Sequence, residues 1–320
     1  MNIAITGGGG FLGRRLAKAL LENGRVERLV VADVAPMRPV ADDSRLVLAQ
    51  GDLSSGDMAA SIADGADVIF HLAAVVSGRA EAEFDAGMSG NLDTTRRLLE
   101  AARAGGRRPR FVFASSLAVF GPPLPEVVTD ETAVHPQSSY GAQKAMGELL
   151  VSDYSRRGFV DGRALRLPTV CVRPGSPNAA ASSFVSGIIR EPLKGKRALC
   201  PVGRDMELWL SSPGAAVANL IHGALLPADA LGRCRVVNLP GTTVSIAEMI
   251  AALERVAGPQ ASALVEFGDD PAVLRIVSGW PARFDVERAL SLGFRRDGGF
   301  EAFIREYLAD EAAGAGVTQR

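Results

Sequence analysis

The sequence predicts an α/β fold: a doubly wound parallel sheet followed by a smaller C-terminal domain. Three observations predict it. Short apolar runs alternate with longer stretches of helical spacing, a run of glycines follows the first apolar run directly, and the rhythm weakens after Pro168. Parallel neighbours need a crossover connection, and the helical stretches supply it.

Taking the elements in order, residues 2–6 form a short apolar strand that leads into four glycines. Residues 11–23 read as a helix, with Leu12, Leu16, Ala19 and Leu20 on one face and Gly24 just past the end. Strands follow at 28–32, ending at Asp33, at 46–49, ending near Asp52, and at 67–71. Residues 81–104 keep helical spacing throughout, 110–114 form the fifth strand, 138–157 a helix and 162–167 the next strand. Beyond Pro168, the prolines at 174, 177, 192, 201 and 213 break the chain into short pieces. A helix at 214–225, a strand at 235–239 and helices at 246–256 and 300–309 still stand out. Residues 1–168 are therefore expected to form the sheet domain. Residues 169–312 should be mainly a substrate-binding domain, with some segments returning to the sheet, and 313–320 a disordered tail.

Bulk composition limits the function. Of 320 residues, 47% are hydrophobic and 22% charged, and the net charge of −1 gives no basic excess for nucleic acid. No apolar stretch is long enough to span a bilayer, and no charged leader precedes the first strand, so a cytoplasmic location is expected. Cys171, Cys200 and Cys234 are odd in number and widely spaced, and His71, His135 and His222 are scattered. Neither a disulfide framework nor a metal site is expected.

Thr6-Gly7-Gly8-Gly9-Gly10-Phe11-Leu12-Gly13 joins the first strand to the first helix. Glycine serves where the turn needs positive φ, where backbone meets a pyrophosphate, and where helix packs on strand. The run satisfies both Gly7-x-x-Gly10-x-x-Gly13 and Gly8-x-Gly10-x-x-Gly13, and Asp33 lies 33 − 13 = 20 residues further on. This is the dinucleotide-binding pattern of a Rossmann-type sheet. An acid at Asp33 accepts ribose hydroxyls and repels a 2′-phosphate, which favours NAD. Arg14 and Arg38 leave NADP as the other option, and Asp52 suits the adenine amino group.

Tyr140 and Lys144 fall one turn apart on one helix face, and Ser116 stands just past the fifth strand. A free tyrosine is a poor base at neutral pH, and a nearby cation makes its phenolate accessible. Lys144 could also hold the nicotinamide ribose, and Ser116 the reacting hydroxyl. Proton removal by Tyr140 with hydride transfer would interconvert alcohol and ketone.

The chain resembles the extended short-chain dehydrogenases/reductases of the NAD-dependent epimerase/dehydratase family. The likeness rests on the glycine loop, Asp33, Asp52-Leu53, His71-Leu72-Ala73-Ala74, Asn91, the segment from Ser115 to Gly121, and Tyr140-x-x-x-Lys144. It implies that Ser116, Tyr140 and Lys144 are catalytic, and that Leu72, Ala73 and Ala74 pass beside the cofactor's phosphates and ribose. It further implies that Asn91 braces the site and that the Pro168 backbone meets the nicotinamide carboxamide. The helical stretches 81–104 and 138–157 match those that form a four-helix dimer interface in related enzymes, which implies a homodimer.

Three functions are compatible with these residues: a dehydrogenase of a small hydroxylated acid, a nucleotide-sugar epimerase or dehydratase using NAD transiently, and a non-catalytic NAD sensor. The intact Ser116, Tyr140 and Lys144 weigh against the sensor. Leu117 and Ala118 stand where a dehydratase carries its acidic pair, and Thr169 where many nucleotide-sugar enzymes have an asparagine. Residues 174–240 hold only Phe184 and Trp209 as aromatics, although Arg190, Arg197, Arg204 and Arg233 could serve a diphosphate. Residues 165–175, with Ser138-Ser139-Tyr140 and residues 209–213, resemble a sugar-acid branch of the family. That likeness implies oxidation of the C2 hydroxyl of D-erythronate to 2-oxo-tetronate. A sugar-acid carboxylate wants a guanidinium or several neutral donors, and Arg173, Asn178, Ser77 and Ser182 are the candidates, with Thr169 nearby.

Overall fold

The computed structural model describes residues 1–176 and 179–317, with side chains to 313. Its strands are β1 Asn2–Thr6, β2 Arg28–Asp33, β3 Leu46–Gln50, β4 Val68–His71, β5 Arg110–Ser116 and β6 Asp161–Leu167. Then come β7 Thr169–Val170, β8 Ala198–Cys200, β9 Glu207–Ser211, β10 Val236–Asn238, β11 Thr242–Ser245 and β12 Val265–Phe267. The helices of the first half are α1 Phe11–Leu21, α2 Gly56–Ala63, α3 Ser77–Ala82, α4 Phe84–Gly87, α5 Thr94–Gly105 and α6 Ser139–Arg156. A π-helical turn, Met88–Asp93, joins α4 to α5, and a 3₁₀ turn, Leu117–Val119, follows β5. The second half carries α7 Ser183–Leu193, α8 Pro213–Leu225, α9 Ile246–Ala257, α10 Pro259–Ser262, α11 Pro271–Val277, α12 Glu287–Ser291 and α13 Phe300–Val317.

Seven strands form one parallel sheet in the order β10-β6-β5-β4-β1-β2-β3. The order reverses between β1 and β4, and a ligand crevice opens at the carboxyl ends of strands at such a switch point. Helices cover both faces, so the strands are apolar on both sides rather than alternating with polar residues. In β5, Phe111 and Phe113 enter the core under α2 and α5, while Val112 enters the opposite core with Leu16 and Leu20 of α1. Each such burial contributes about 1.5–3 kcal/mol, which fixes β5 and the residue at its end, Ser116.

A further buried cluster runs from Cys171 through Val185, Ile188 and Leu253 to Phe303 and Tyr307, around the sheet β11-β9-β7 and the pair β12-β8. The strand at 235–239 is found at 236–238 and lies on the edge of the main sheet beside β6. α13 runs back to α1, where Arg15 pairs with Glu306 at 2.6 Å and with Asp310. Glu306 also accepts from the Gly214 N–H at the start of α8. Among the described residues no helix is long and apolar enough to cross a membrane.

Two expectations need correction. The stretch 81–104 is not one helix: the chain breaks at Glu83 (φ −124°, ψ 80°) and passes through the π turn before α5 begins. The turn carries Asn91 inward to the backbone of Val75, and those hydrogen bonds outweigh regular helical geometry. The helix expected at 300–309 runs from Phe300 to Val317, and residues 318–320 lie outside the described residues.

Candidate active site

The glycine loop follows β1 at the switch point. Gly7 has φ +69°, and a Cβ on it would lie 2.6 Å from the Ala73 nitrogen, so the 72–74 segment closes directly on the loop. Gly10 caps α1 without a side-chain acceptor, and no acid lies in the first turn, so the helix N-terminus is left to attract an anion. Phe11, Leu12 and Gly13 form that first turn. Asp33, at the end of β2, accepts from the Gly9 N–H at 2.9 Å and from the Ala35 N–H at 3.0 Å, which fixes its carboxylate beside the loop. Arg14 donates to the Arg38 carbonyl at 2.8 Å. Asp52 is exposed in the turn after β3, and the Ser54 N–H holds its carboxyl below the usual range, while Leu53 beside it is buried. This uncapped cradle with an acid at its edge fits a dinucleotide.

The end of β4 is braced from below. The Thr95 hydroxyl donates to the Asn91 carbonyl at 2.6 Å, so it accepts from His71 Nε2 at 2.9 Å. His71 Nδ1 then accepts from the Thr6 hydroxyl at 2.7 Å. Burial pushes His71 down to about 3, and the charge on Lys144 adds to this, so the ring is neutral. Asn91 accepts from the Val75 N–H at 2.7 Å, and its Nδ2 donates to the Val75 carbonyl at 3.1 Å and to Gln143 at 2.7 Å. Leu72, Ala73 and Ala74 are thus held between the glycine loop and the π turn.

Tyr140 and Lys144 lie on α6, which Ser138 caps by accepting from the Gly141 N–H at 3.2 Å. Glycine at 141 is a packing requirement, since a Cβ there would collide with the Ala118 carbonyl. This close approach brings Tyr140 toward Ser116, whose hydroxyl favours the ionised phenol. Ser116 also accepts from the Ala118 N–H at 3.2 Å. Burial pushes the Tyr140 phenol up to about 12, against the pull of the Ser116 hydrogen bond and the Arg173 charge. Lys144, 2% exposed, donates to the Ala114 carbonyl at 2.8 Å, with its ammonium 4.8 Å from the Phe113 ring centre and 5.7 Å from that of Tyr140. Spacing on the helix suggests Lys144 as the cation that tunes Tyr140. In the fold, Arg173 acts on the phenol, and the Lys144 ammonium is turned to the end of β5.

Of the candidate substrate residues, Arg173 donates to the Ser182 hydroxyl at 2.9 Å and to its carbonyl at 3.0 Å. Ser182 is therefore the clamp on Arg173. Arg190 supports the same segment by donating to the Arg173 carbonyl at 2.9 Å. Ser77 is buried at the start of α3 and accepts from the Ala181 N–H at 3.1 Å, latching this segment to the first half. Pro168 is buried directly after β6, and Thr169 opens β7, paired with Leu210 of β9. Asn178 lies outside the described residues. Sequence reasoning missed Glu148 and Arg166, a buried ion pair behind Lys144. The signal was available, because Glu148 follows Lys144 at the spacing by which Lys144 follows Tyr140.

The model of the family described as NAD dependent epimerase/dehydratase matches residues 3–214. A D-erythronate dehydrogenase from Cupriavidus necator is 54% identical over 320 residues, covering 97% of this chain and 98% of its own length. One from Haemophilus influenzae is 47% identical over 313 residues, covering 96% and 99%. A solved structure named as a nucleoside-diphosphate-sugar epimerase from Agrobacterium tumefaciens superimposes with a TM-score of 0.92 at 44% identity, covering 98% of this chain and 95% of that one.

Proposed function

The chain belongs to the NAD dependent epimerase/dehydratase family, and from that premise we propose that it is a dehydrogenase oxidising the C2 hydroxyl of a small sugar acid, D-erythronate, to 2-oxo-tetronate. Similarity to two D-erythronate dehydrogenases along nearly the whole chain, second half included, is the observation that carries this reading. The placement of Arg173 supports it, because a guanidinium clamped within electrostatic range of the Tyr140 phenol suits a carboxylate one carbon from the reacting hydroxyl.

NAD, when bound, supplies the hydride acceptor. The N-terminus of α1, at Gly10 to Gly13, receives its phosphates, Asp33 the adenosine ribose and Asp52 the adenine amino group. Leu72, Ala73 and Ala74 line its path, Asn91 holds that path in place, and the Pro168 backbone meets the carboxamide. Ser116 donates to the reacting oxygen, and Tyr140 removes its proton as the phenolate, the form that the Arg173 charge and Ser116 favour against burial. Lys144 holds the nicotinamide ribose, and Arg173 the substrate carboxylate. Residues 169–312 then serve mainly as the substrate domain. A homodimer through α4, α5 and α6 would cover Phe84 of α4 and Leu149 of α6, which are 59% and 68% exposed. The free thiols of Cys171, Cys200 and Cys234 accord with a reduced cytoplasm.

A nucleotide-sugar epimerase is the second reading, favoured by the name of the Agrobacterium structure. Several contacts weigh against it. Trp209 is buried and stacked on Phe284 at 5.1 Å, and Phe184 packs against the second core, so neither is free to stack a base. Arg190 is buried, Arg197 pairs with Glu266, and Arg204 lies 4.7 Å from the Phe267 ring centre, so these three do not converge on a diphosphate. The test supplies NAD with a panel of aldonic acids and UDP-sugars. Net NADH with D-erythronate is expected; turnover of a UDP-sugar without NADH would sink the proposal.

A further inference from the structure

Behind the Tyr140–Lys144 face lies a buried ion pair that the proposed chemistry leaves without a role. Glu148 of α6 is 4% exposed and accepts from Arg166 of β6 through two contacts, Nε at 2.8 Å and Nη2 at 2.7 Å. The Ser115 hydroxyl of β5 donates to the same carboxylate. Arg166 also lies over the Phe120 ring at 4.6 Å and reaches Asn238 of β10 at 3.3 Å. Taking two charges out of water is expensive, and apolar residues of similar volume often fill such a space at no loss of stability. The pair therefore calls for a reason beyond packing.

The surroundings of Lys144 supply one. On its own helix it shares a face with Tyr140 and Glu148. β5 offers it the Phe113 ring and the Ala114 carbonyl, neither of them charged. β4 offers His71, which is neutral, while Arg166 of β6, a second cation, is paired with Glu148. Glu81 of α3 is turned to the Ser139 N–H at the helix start, and Arg173 acts on Tyr140. Among these groups Glu148 is the negative charge that acts on Lys144.

We propose that Glu148 is the counter-charge that keeps Lys144 an ammonium ion, and that the hydrogen bonds from Arg166 and Ser115 hold the Glu148 carboxylate in place behind it. Glu148 is a positioning residue that acts through Lys144, and the inference rests on the assignment of Lys144 to the active site. Burial pushes Lys144 down to about 8, and Glu148 opposes that fall. Removing the carboxylate ends the opposition and leaves the Arg166 charge unpaired, so Lys144 gives up its proton at lower pH.

The chain has four lysines, at 18, 144, 194 and 196, so lysine-selective NMR can titrate the Lys144 side chain without cofactor or substrate. Absence of its signal in Lys144→Met assigns it. Glu148→Gln is expected to lower the Lys144 midpoint by about one pH unit or more. Should that variant fail to fold, Glu148→Gln combined with Arg166→Gln removes both buried charges and is expected to shift the midpoint the same way by a smaller amount. A midpoint unmoved in the folded variants overturns the proposal and leaves Glu148 as packing alone. The readout needs no turnover, so its failure is separable from a failure of the wild-type protein to make NADH from D-erythronate.

Discussion

Arg173 stands between the phenol of Tyr140 and the start of α7, held by both oxygens of Ser182. Among the described residues no acid pairs with it, as suits a guanidinium proposed to take an anionic substrate. Arg173→Ala is expected to raise KM for D-erythronate roughly 10- to 100-fold, which corresponds to about 1.5–3 kcal/mol of charge-assisted hydrogen bonding. NAD affinity, measured by fluorescence titration, should stay near wild type. Equal losses toward acids and neutral alcohols would remove Arg173 from the carboxylate site. At this scale much was legible in the sequence. Helical spacing alone places Tyr140 and Lys144 on one face, and the end of β5 places Ser116. The direction in which each cation points was not legible, because the Ala114 carbonyl that takes Lys144 belongs to a neighbouring strand.

The π turn at 88–93 braces the segment proposed to line the cofactor path. Asn91 satisfies both backbone groups of Val75 and one oxygen of Gln143, all in a partly or fully buried setting. Asn91→Ala leaves these groups without partners and is expected to destabilise the protein by about 2–3 kcal/mol, read as a lower denaturant midpoint at unchanged slope. NAD binding should weaken as well, because residues 72–74 lose their support. An unchanged NAD affinity in the destabilised variant would confine Asn91 to stability. Periodicity could not reveal this turn. Its one-residue shift is smaller than the tolerance of a helical pattern spread over residues 81–104. The strands β7, β8, β9, β11 and β12 escaped for another reason: they are two to five residues long, and their partners are remote in sequence. The first six strands were legible, being apolar and bounded by turns; all but the edge strand β3 are also largely buried.

On the scale of the whole molecule, the proposed homodimer would cover the exposed Phe84 of α4 and Leu149 of α6. Sedimentation is expected to give a dimer. Phe84→Glu combined with Leu149→Glu should give a monomer of unchanged circular dichroism, and a monomeric wild type would dismiss the interface. The strand order of the main sheet has a separate consequence, for how the chain is made. Leu167 ends β6 and Val236 begins β10, so 236 − 167 = 69 positions separate the last residue of one strand from the first of its outer neighbour. While a ribosome is still making that stretch, the outer edge of β6 has unpaired N–H and C=O groups, the kind of edge that recruits other chains. A nascent chain is thus most open to mispairing just after its nucleotide-binding half has emerged. The same reasoning applies to truncation: a gene cut at residue 168 or at 214 would encode a sheet with that edge permanently bare.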